Sequence, residues 1–278
     1  MKDRSAGPRR MLATQTSRVE NLRLHRFTSR QFRNTRTIRV LLPPGYDAPE
    51  NQARRYPALY LNDGQNLFER VDEFPPAHWG AAETVERLVR EAQIPPLVVV
   101  GIDNGGRRRN REYMPYAEPW LQAEPEGRRY PTFLVDELVP WIEERYRLLP
   151  GPHGRGLGGS SLGGAVALYT AITRPGVFER LLLESPSLFI AGQRLLRDSL
   201  QVLRWPRKVV LGVGTNETGR EASNSAAVER VRHLETTLSA AGLGPDRLRV
   251  MVEEDGTHSE TAWARRLPPA LRFLYAGD

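Results

Sequence analysis

The hydrophobic positions of the chain form two patterns that alternate along most of its length. Short continuous apolar runs, such as Leu97–Ile102, predict strands that are buried on both faces. Stretches with apolar residues three or four positions apart, such as Gly80–Gln93, predict amphipathic helices. The predicted strands are Leu22–Phe27, Thr37–Leu42, Ala58–Asn62, Leu97–Ile102, Arg180–Glu184, Lys208–Gly214 and Arg247–Glu253. The predicted helices are Gly80–Gln93, Pro131–Tyr146, Leu162–Thr173, Ala226–Ala241 and Glu260–Tyr275, the last broken or bent near Pro268-Pro269.

This alternation predicts an α/β fold with a mostly parallel central sheet and helices on both faces. The first two apolar runs come before the turn signal Pro43-Pro44-Gly45 and predict an antiparallel N-terminal edge. Residues 1–20 predict a flexible basic tail, and residues 21–278 predict a single domain. In such sheets the reactive groups collect at the carboxyl ends of the strands, so functional residues are expected there.

Composition changes this picture mainly by exclusion. The 278 residues include no cysteine, which excludes disulfides, thiol catalysis and cysteine-bound metal sites. Arginine supplies most of the formal charge of +7, but there is no zinc-finger spacing or basic heptad region, so we expect no nucleic-acid partner. No apolar run approaches the roughly 20 residues of a membrane span. The N-terminus is polar and lacks the apolar stretch of a signal peptide, so we expect a cytoplasmic location and no membrane partner.

Residues 159–163 read Gly-Ser-Ser-Leu-Gly and match the G-x-S-x-G pattern, with Ser161 at the centre as the predicted nucleophile. In this pattern the serine lies at a sharp turn between a strand and a helix, and the glycines leave room for neighbouring chain. Helix amides beginning at Leu162 favour negative charge that develops beside the serine. The preceding segment Arg155–Gly158 is poor in β-branched residues and predicts a strand only weakly. Ser160 is the alternative serine, but its flanking residues do not match the pattern.

His258 is the predicted general base, because it follows the strand Arg247–Glu253 at the edge where Ser161 should lie. His78 lies on a loop that could approach the site and is an alternative. The predicted acid is Glu217, which follows the strand Lys208–Gly214 and keeps the order serine, acid, histidine of α/β-hydrolases.

Two other carboxylates compete with Glu217 for this role: Glu221 lies four residues further on, and Asp255 precedes His258 on its loop. The oxyanion hole requires two backbone amides, one of them from the residue that follows the nucleophile, here Leu162. The other should come from the loop after an early strand, and Gln65 is the predicted donor, with Asn66 as its neighbour.

Several separate stretches resemble, in the right order, the putative esterase family, which includes esterase D and the enterochelin (siderophore) esterases. They are Tyr56–Phe68 (YPALYLNDGQNLF), Val98–Asn104 (VVVGIDN), Glu112–Pro115 (EYMP), Gly159–Gly164 and His258–Trp263, within a similarity that covers roughly residues 25–275. The resemblance implies an α/β-hydrolase fold, ester hydrolysis through an acyl-enzyme and no cofactor. It also implies Ser161 as nucleophile, His258 as base and Glu217 as acid, although some siderophore esterases use a Ser–His pair.

The chain departs from the S-formylglutathione hydrolases of that family at two points. The cysteine near their site is absent, and Ser160 stands where they usually have a histidine. These departures argue against the glutathione branch.

Four arginines (Arg107, Arg108, Arg109 and Arg111) follow the strand Leu97–Ile102, at the edge expected to hold the site. Because guanidinium groups recognise anions, they suggest a clamp for an anionic substrate, with a solvated loop as the alternative. Asn66, Arg107, Arg111 and Tyr113 are the predicted substrate-binding residues. Trp79, Met114, Tyr116 and Trp120 are either walls of an acyl or aryl pocket or ordinary core residues.

The chain is therefore predicted to be a serine carboxylic-ester hydrolase that acts on a small anionic or aromatic ester, without metal or cofactor. Acyl transfer on the same triad and a catalytically silent binding protein are the alternative hypotheses. The pocket should depend on loops 69–80 and 105–130, and the sequence does not predict the oligomeric state.

Overall fold

A computed structural model of the chain describes residues 19–68 and 78–277. Most of the predicted tail (residues 1–20) and of loop 69–80 lies outside the described residues. The strands are β1 (Leu22–Ser29), β2 (Asn34–Leu41), β3 (Ala58–Asn62), β4 (Val98–Ile102), β5 (Arg155–Ser160), β6 (Arg180–Glu184), β7 (Lys208–Asn216) and β8 (Leu248–Thr257). The helices are α1 (Ala81–Arg90), α2 (Arg109–Tyr113), α3 (Tyr130–Thr132), α4 (Val139–Glu143), α5 (Ser161–Thr173), α6 (Ile190–Ser199), α7 (Glu221–Ala240) and α8 (Glu260–Tyr275), with a π-helical segment, Phe133–Leu138, between α3 and α4.

The eight strands form one sheet in the order β1-β2-β4-β3-β5-β6-β7-β8. β2 pairs antiparallel with both β1 and β4, and all the other neighbouring strands run parallel. The predicted α/β class, with a mostly parallel sheet and an antiparallel N-terminal edge, is confirmed. β3, β4 and β6 are buried along their whole length, as their continuous apolar runs predict.

Helices cover both faces of this sheet. Apolar side chains of α1 and α8 pack on one face, and those of α5, α6, α7 and the α3–α4 segment pack on the other. Successive strand residues contribute to opposite faces, so Leu59 and Leu61 join the first cluster and Tyr60 joins the second. No helix among residues 19–68 and 78–277 is both long enough and apolar enough to cross a membrane.

β5 is a regular strand although its sequence predicts one only weakly. Its glycines lie where neighbouring groups leave no room for a side chain. A Cβ at Gly156 would lie 2.4 Å from the Tyr275 hydroxyl, and one at Gly158 would lie 2.6 Å from the Leu182 carbonyl oxygen. Close packing, rather than β-propensity, therefore explains this segment.

Other boundaries differ from the predictions in ways that matter for the site. β7 and β8 extend to Asn216 and Thr257, beyond their predicted ends. α6 has no counterpart among the predicted helices, and residues 191–193 near its start have left-handed backbone angles. α8 continues through Pro268-Pro269, so the predicted break is absent, and a bend there stays a prediction.

Replacing Gly158 by alanine should destabilise the protein by about 1–3 kcal/mol, because the new methyl group must displace backbone of β6. Gly244→Ala is the matched control, since no atom lies within 4 Å of a Cβ there. The control should be neutral or slightly stabilising. Urea unfolding midpoints of the two variants measure the difference, and equal midpoints would contradict the packing explanation.

Candidate functional site

Ser161 lies at the junction of β5 and α5, with a backbone φ of 55°. A non-glycine residue in this left-handed region costs about 1–3 kcal/mol, so its surroundings must enforce the conformation. A Cβ at Gly159 would lie 2.8 Å from the Gly163 carbonyl carbon, so the turn closes only with glycine at that position. The Asn62 amide at the end of β3 donates to the Gly163 carbonyl oxygen at 2.7 Å and fastens the turn to the sheet.

β7 and β8 hold the predicted acid and base side by side. The two strands pair in parallel as far as Asn216 and Thr257, and Glu217 and His258 are the next residue on each. Thus the sheet itself carries both side chains to one edge. His258 Nδ1 and Glu217 Oε2 are 2.5 Å apart.

Glu217 is almost completely buried and accepts several hydrogen bonds. Its Oε1 accepts from the Ser185 hydroxyl at 2.7 Å and from the Gly214 amide at 2.6 Å. Burial acts to raise the pKa of Glu217, but the hydrogen bonds from His258, Ser185 and Gly214 outweigh it and hold the pKa below its ordinary value. An ionised carboxylate can only accept, so the proton between the pair lies on Nδ1 of His258 and leaves Nε2 free.

Ser185 was not among the predicted site residues, although it follows β6 at the same edge of the sheet. Its hydroxyl donates to Glu217 and accepts from Trp263 Nε1 at 3.0 Å and from Arg266 Nη2 at 3.2 Å. The Trp263 ring also packs edge-on against the His258 imidazole, with 5.2 Å between ring centroids. Ser185 and Trp263 therefore fix the position of the Glu217–His258 pair.

A buried ionic network lies behind this pair. Arg266 Nε donates to Glu184 at 2.7 Å, and its Nη1 donates to Glu253 at 2.6 Å. Glu184 is fully buried at the end of β6 and fits there because its neighbour on β7 is Gly212. Burial raises the pKa of Glu184 to about 7, against the opposing effect of Arg266.

Ser161, Leu162, Glu217 and His258 line a single cavity of about 680 Å³. Most of its other walls are apolar and come from the segment after β6, from β7 and from α7. The remaining lining residues are Trp120, Ser185, Pro186, Ser187, Leu188, Phe189, Val213, Thr218, Ala222, Ser223, Ala226, Ala227, Arg230 and Val231. The Ser161 hydroxyl has a long contact of 3.4 Å with the Ser187 hydroxyl.

The loop that carries Gln65 is held by the arginine segment. Asp63 has a φ of 58° and accepts two hydrogen bonds from Arg109, at 2.7 and 2.8 Å. The side chain of Gln65 accepts from the Asn104 amide at 3.2 Å. The loop lies at the carboxyl end of β3, next to β5, but Gln65 is not among the residues that line the cavity. Its role in an oxyanion hole stays a prediction.

The four predicted substrate-binding residues also lie outside this cavity. The Asn66 amide donates to Glu260, and Arg111 pairs with Glu126. Tyr113 is fully buried, and its hydroxyl accepts from the Asp63 amide. Arg107 is exposed. Contact of any of them with a substrate stays a prediction.

The alternative site residues have other surroundings. His78 accepts from the Gly80 amide at the start of α1. Glu221 and Asp255 are exposed, and neither lines the cavity. Of the predicted aromatic or sulfur-containing walls, Trp120 lines the cavity, whereas Trp79, Met114 and Tyr116 are buried in the core.

Within the described part of the chain, no group of three or more histidine or acidic side chains is arranged to hold a metal ion.

A family model described as "Putative esterase" matches residues 29–274 of the chain. The chain is 24% identical over 249 residues to the uncharacterized protein YbbA of Bacillus subtilis, covering 86% of this chain and 92% of YbbA. It is 28% identical over 148 residues to the ferri-bacillibactin esterase BesA of the same organism, covering 48% of each chain. The crystal structure of an IroE-like serine hydrolase from Shewanella oneidensis superposes with a TM-score of 0.70 at 25% identity, covering 91% of this chain and 80% of that one. The fold is that of an α/β-hydrolase.

Glu184→Gln should flatten the dependence of the free energy of unfolding on pH. Between its ordinary pKa near 4.5 and its raised value of about 7, the folded state holds a proton that the unfolded state has lost. The wild type should therefore lose on the order of 3 kcal/mol of stability relative to the variant as pH rises through this window. Urea unfolding of both proteins at pH 5 and pH 8 measures this loss of stability. Glu144→Gln, at an exposed position, should behave like the wild type, and a pH-independent difference for Glu184→Gln would contradict the raised pKa.

Proposed function

The chain belongs to the putative esterase family of α/β-hydrolases, and from this premise we propose that it is a serine carboxylic-ester hydrolase working through an acyl-enzyme. Ser161 is the proposed nucleophile, His258 the base and Glu217 the acid. One observation carries the proposal: Ser161 and His258 line the same cavity, and the Nδ1 of His258 is held by an ionised, buried Glu217.

In the first half of the reaction, the Ser161 hydroxyl attacks the ester carbonyl carbon while His258 Nε2 takes its proton. Glu217 stabilises the imidazolium that forms and holds the ring in the tautomer with Nδ1 protonated. The amides of Leu162 and Gln65 donate to the oxyanion, and the N-terminus of α5 adds its positive end to the same region. Collapse of the tetrahedral intermediate expels the alcohol, which takes its proton from His258, and leaves the acyl group on Ser161.

In the second half, water enters the cavity and His258 Nε2 removes a proton from it as it attacks the acyl-enzyme. The acid is released, and Ser161 recovers its proton from His258. Each proton moves between substrate, water and one imidazole nitrogen, so no cofactor is needed for the steps to balance. Each half of the cycle begins with an unprotonated Nε2, and the hydrogen bond between Nδ1 and Glu217 favours the tautomer that provides it.

The size and lining of the cavity favour an ester with a substantial apolar part. Its walls are mostly apolar, and the exposed rings of Trp120 and Phe189 are among the lining residues. Two named relatives agree with ester chemistry, since one is called a ferri-bacillibactin esterase and another a serine hydrolase. An apolar or aromatic ester is therefore the proposed substrate type.

Ser161→Ala should reduce hydrolysis of 4-nitrophenyl acetate to the background rate, because the variant has no nucleophile. Ser160→Ala is the matched control: Ser160 precedes the turn and does not line the cavity, so its variant should keep most of the activity. A fluorophosphonate probe should label the wild type and Ser160→Ala but not Ser161→Ala. Full activity in Ser161→Ala would refute the proposed nucleophile.

Glu217→Gln should lower kcat by about 10²–10⁴-fold, because an amide carries no charge to balance the imidazolium and its NH2 group can donate to Nδ1, which favours the wrong tautomer. The two other acidic residues provide controls. Glu221→Gln and Asp255→Asn remove exposed carboxylates outside the cavity and should change kcat by less than about threefold. If one of these controls lost activity instead, the acid would be misassigned. Equal activity in all three variants would indicate a Ser–His pair without an acid.

A further inference from the structure

We infer that Arg230 binds a carboxylate carried by the substrate, so that the enzyme prefers esters with an anionic group remote from the reacting carbonyl. The inference rests on the proposed ester hydrolysis and names the substrate class for that site. It is carried by three features of the cavity: the position of Arg230, the absence of a partner for its guanidinium among the described residues, and the hydrogen bonds that already occupy Glu217.

Arg230 lies on α7, the helix that forms one wall of the cavity. Small residues of the same helix, Ala222, Ala226 and Ala227, also face the cavity and leave its space open. Ala222 lies in the first turn, five residues after Glu217, whereas Arg230 lies about 12 Å further along the helix axis. A substrate that fills the cavity can thus reach Ser161 with its carbonyl group and Arg230 with its other end.

The guanidinium of Arg230 has no protein partner among the described residues. Its Nε is buried and makes no hydrogen bond, and the structure records no ion pair for this side chain. An arginine is permanently charged, and a partly buried charge is normally paired. The planar guanidinium fork fits a carboxylate through two parallel hydrogen bonds. Such a ligand would satisfy the unpaired donors.

The cavity itself supplies no anion for this role. Glu217 is the only acidic residue among its described lining residues, and both of its oxygens already accept hydrogen bonds from His258, Ser185 and the Gly214 amide. The cavity therefore contains a free cation in a mostly apolar wall. An ester with an apolar chain that ends in a carboxylate matches both properties.

The arginines that follow β4 differ from Arg230 in this respect. Arg109 pairs with Asp63, and Arg108 and Arg111 share Glu126, so three of the four already have a carboxylate partner within the protein. The sequence suggests that the loop after β4 binds an anion. The structure supports this role better for Arg230 on α7.

The test compares charged esters with neutral esters of the same shape. With the carboxylate on the acyl side, the pair is 4-nitrophenyl hydrogen suberate and 4-nitrophenyl octanoate. With the carboxylate on the alcohol side, the pair is 4-acetoxybenzoate and 4-acetoxybenzamide. The ratio of kcat/KM, charged over neutral, should fall at least about tenfold in Arg230→Gln for one of the pairs, and the pair that responds identifies the side of the ester that carries the anion.

Arg232→Gln is the matched control, because Arg232 lies on the same helix but pairs with Glu235 and does not line the cavity. Its ratios should equal those of the wild type. Arg230→Lys keeps the charge but loses the planar guanidinium, so it should give an intermediate ratio. It provides a second test if the glutamine variant misfolds.

Unchanged ratios in Arg230→Gln for both pairs, with hydrolysis of the neutral esters still dependent on Ser161, would overturn the inference and leave the proposed function intact. A wild type that hydrolyses none of the four esters, or a Ser161→Ala variant that hydrolyses them as fast, would overturn the proposed function and the inference with it.

Discussion

Ser161 adopts a backbone φ of 55°, a conformation that a residue with a side chain holds only when its surroundings enforce it. Those surroundings extend far from the serine. Asn62, at the end of β3, donates to the Gly163 carbonyl and accepts from the buried Tyr130 hydroxyl at 2.5 Å. The Ser187 amide, after β6, donates to the Ser161 carbonyl oxygen at 3.0 Å. The strained turn is thus held by both neighbours of β5, and its stability depends on the register of the central strands.

The basic composition of the chain takes on a different meaning once the partners of the arginines are known. Arg36 and Glu112 form a buried pair, Arg109 holds Asp63, and Arg266 lies between two glutamates. Arginine suits these positions because its planar fork can bind two acceptors at once and is only weakly hydrated. Many of the arginines therefore form ion pairs that hold loops and strand ends in place. A count of charged residues cannot distinguish such arginines from a surface that binds anions.

The sequence predicts best what depends on local pattern and chain order. Buried strands such as Val98–Ile102 are predicted by their apolar runs. The turn at Ser161 is predicted by a motif whose glycines have a steric reason. Glu217 and His258 could be placed because each follows a strand, although the longer pairing of β7 with β8 was not evident. The sequence predicts strand β5 only weakly, because its glycines are required by close contacts with Tyr275 and Leu182, which are remote in the sequence.

What the sequence could not reveal is the direction in which side chains from separate elements meet. Ser185 contacts Glu217 across 32 residues and Trp263 across 78. Arg230 has helical neighbours that give no sign of a cavity, and among the four arginines after β4 the sequence favours Arg107 and Arg111 for binding an anion. Only the packing of α7 on the sheet separates these possibilities, and packing of this kind has no local signal.

Two neighbouring glutamates, Glu184 and Glu217, show how this packing controls charge. Both lie at the same edge of the sheet and each is almost completely buried, yet the pKa of Glu217 is lowered while that of Glu184 is raised to about 7. Burial raises the pKa of Glu184 against the opposing effect of Arg266, whereas at Glu217 the hydrogen bonds from His258, Ser185 and the Gly214 amide outweigh burial. A proton on Glu184 relieves the repulsion between the two groups. Glu217 can then remain ionised without the repulsion of a second carboxylate behind it.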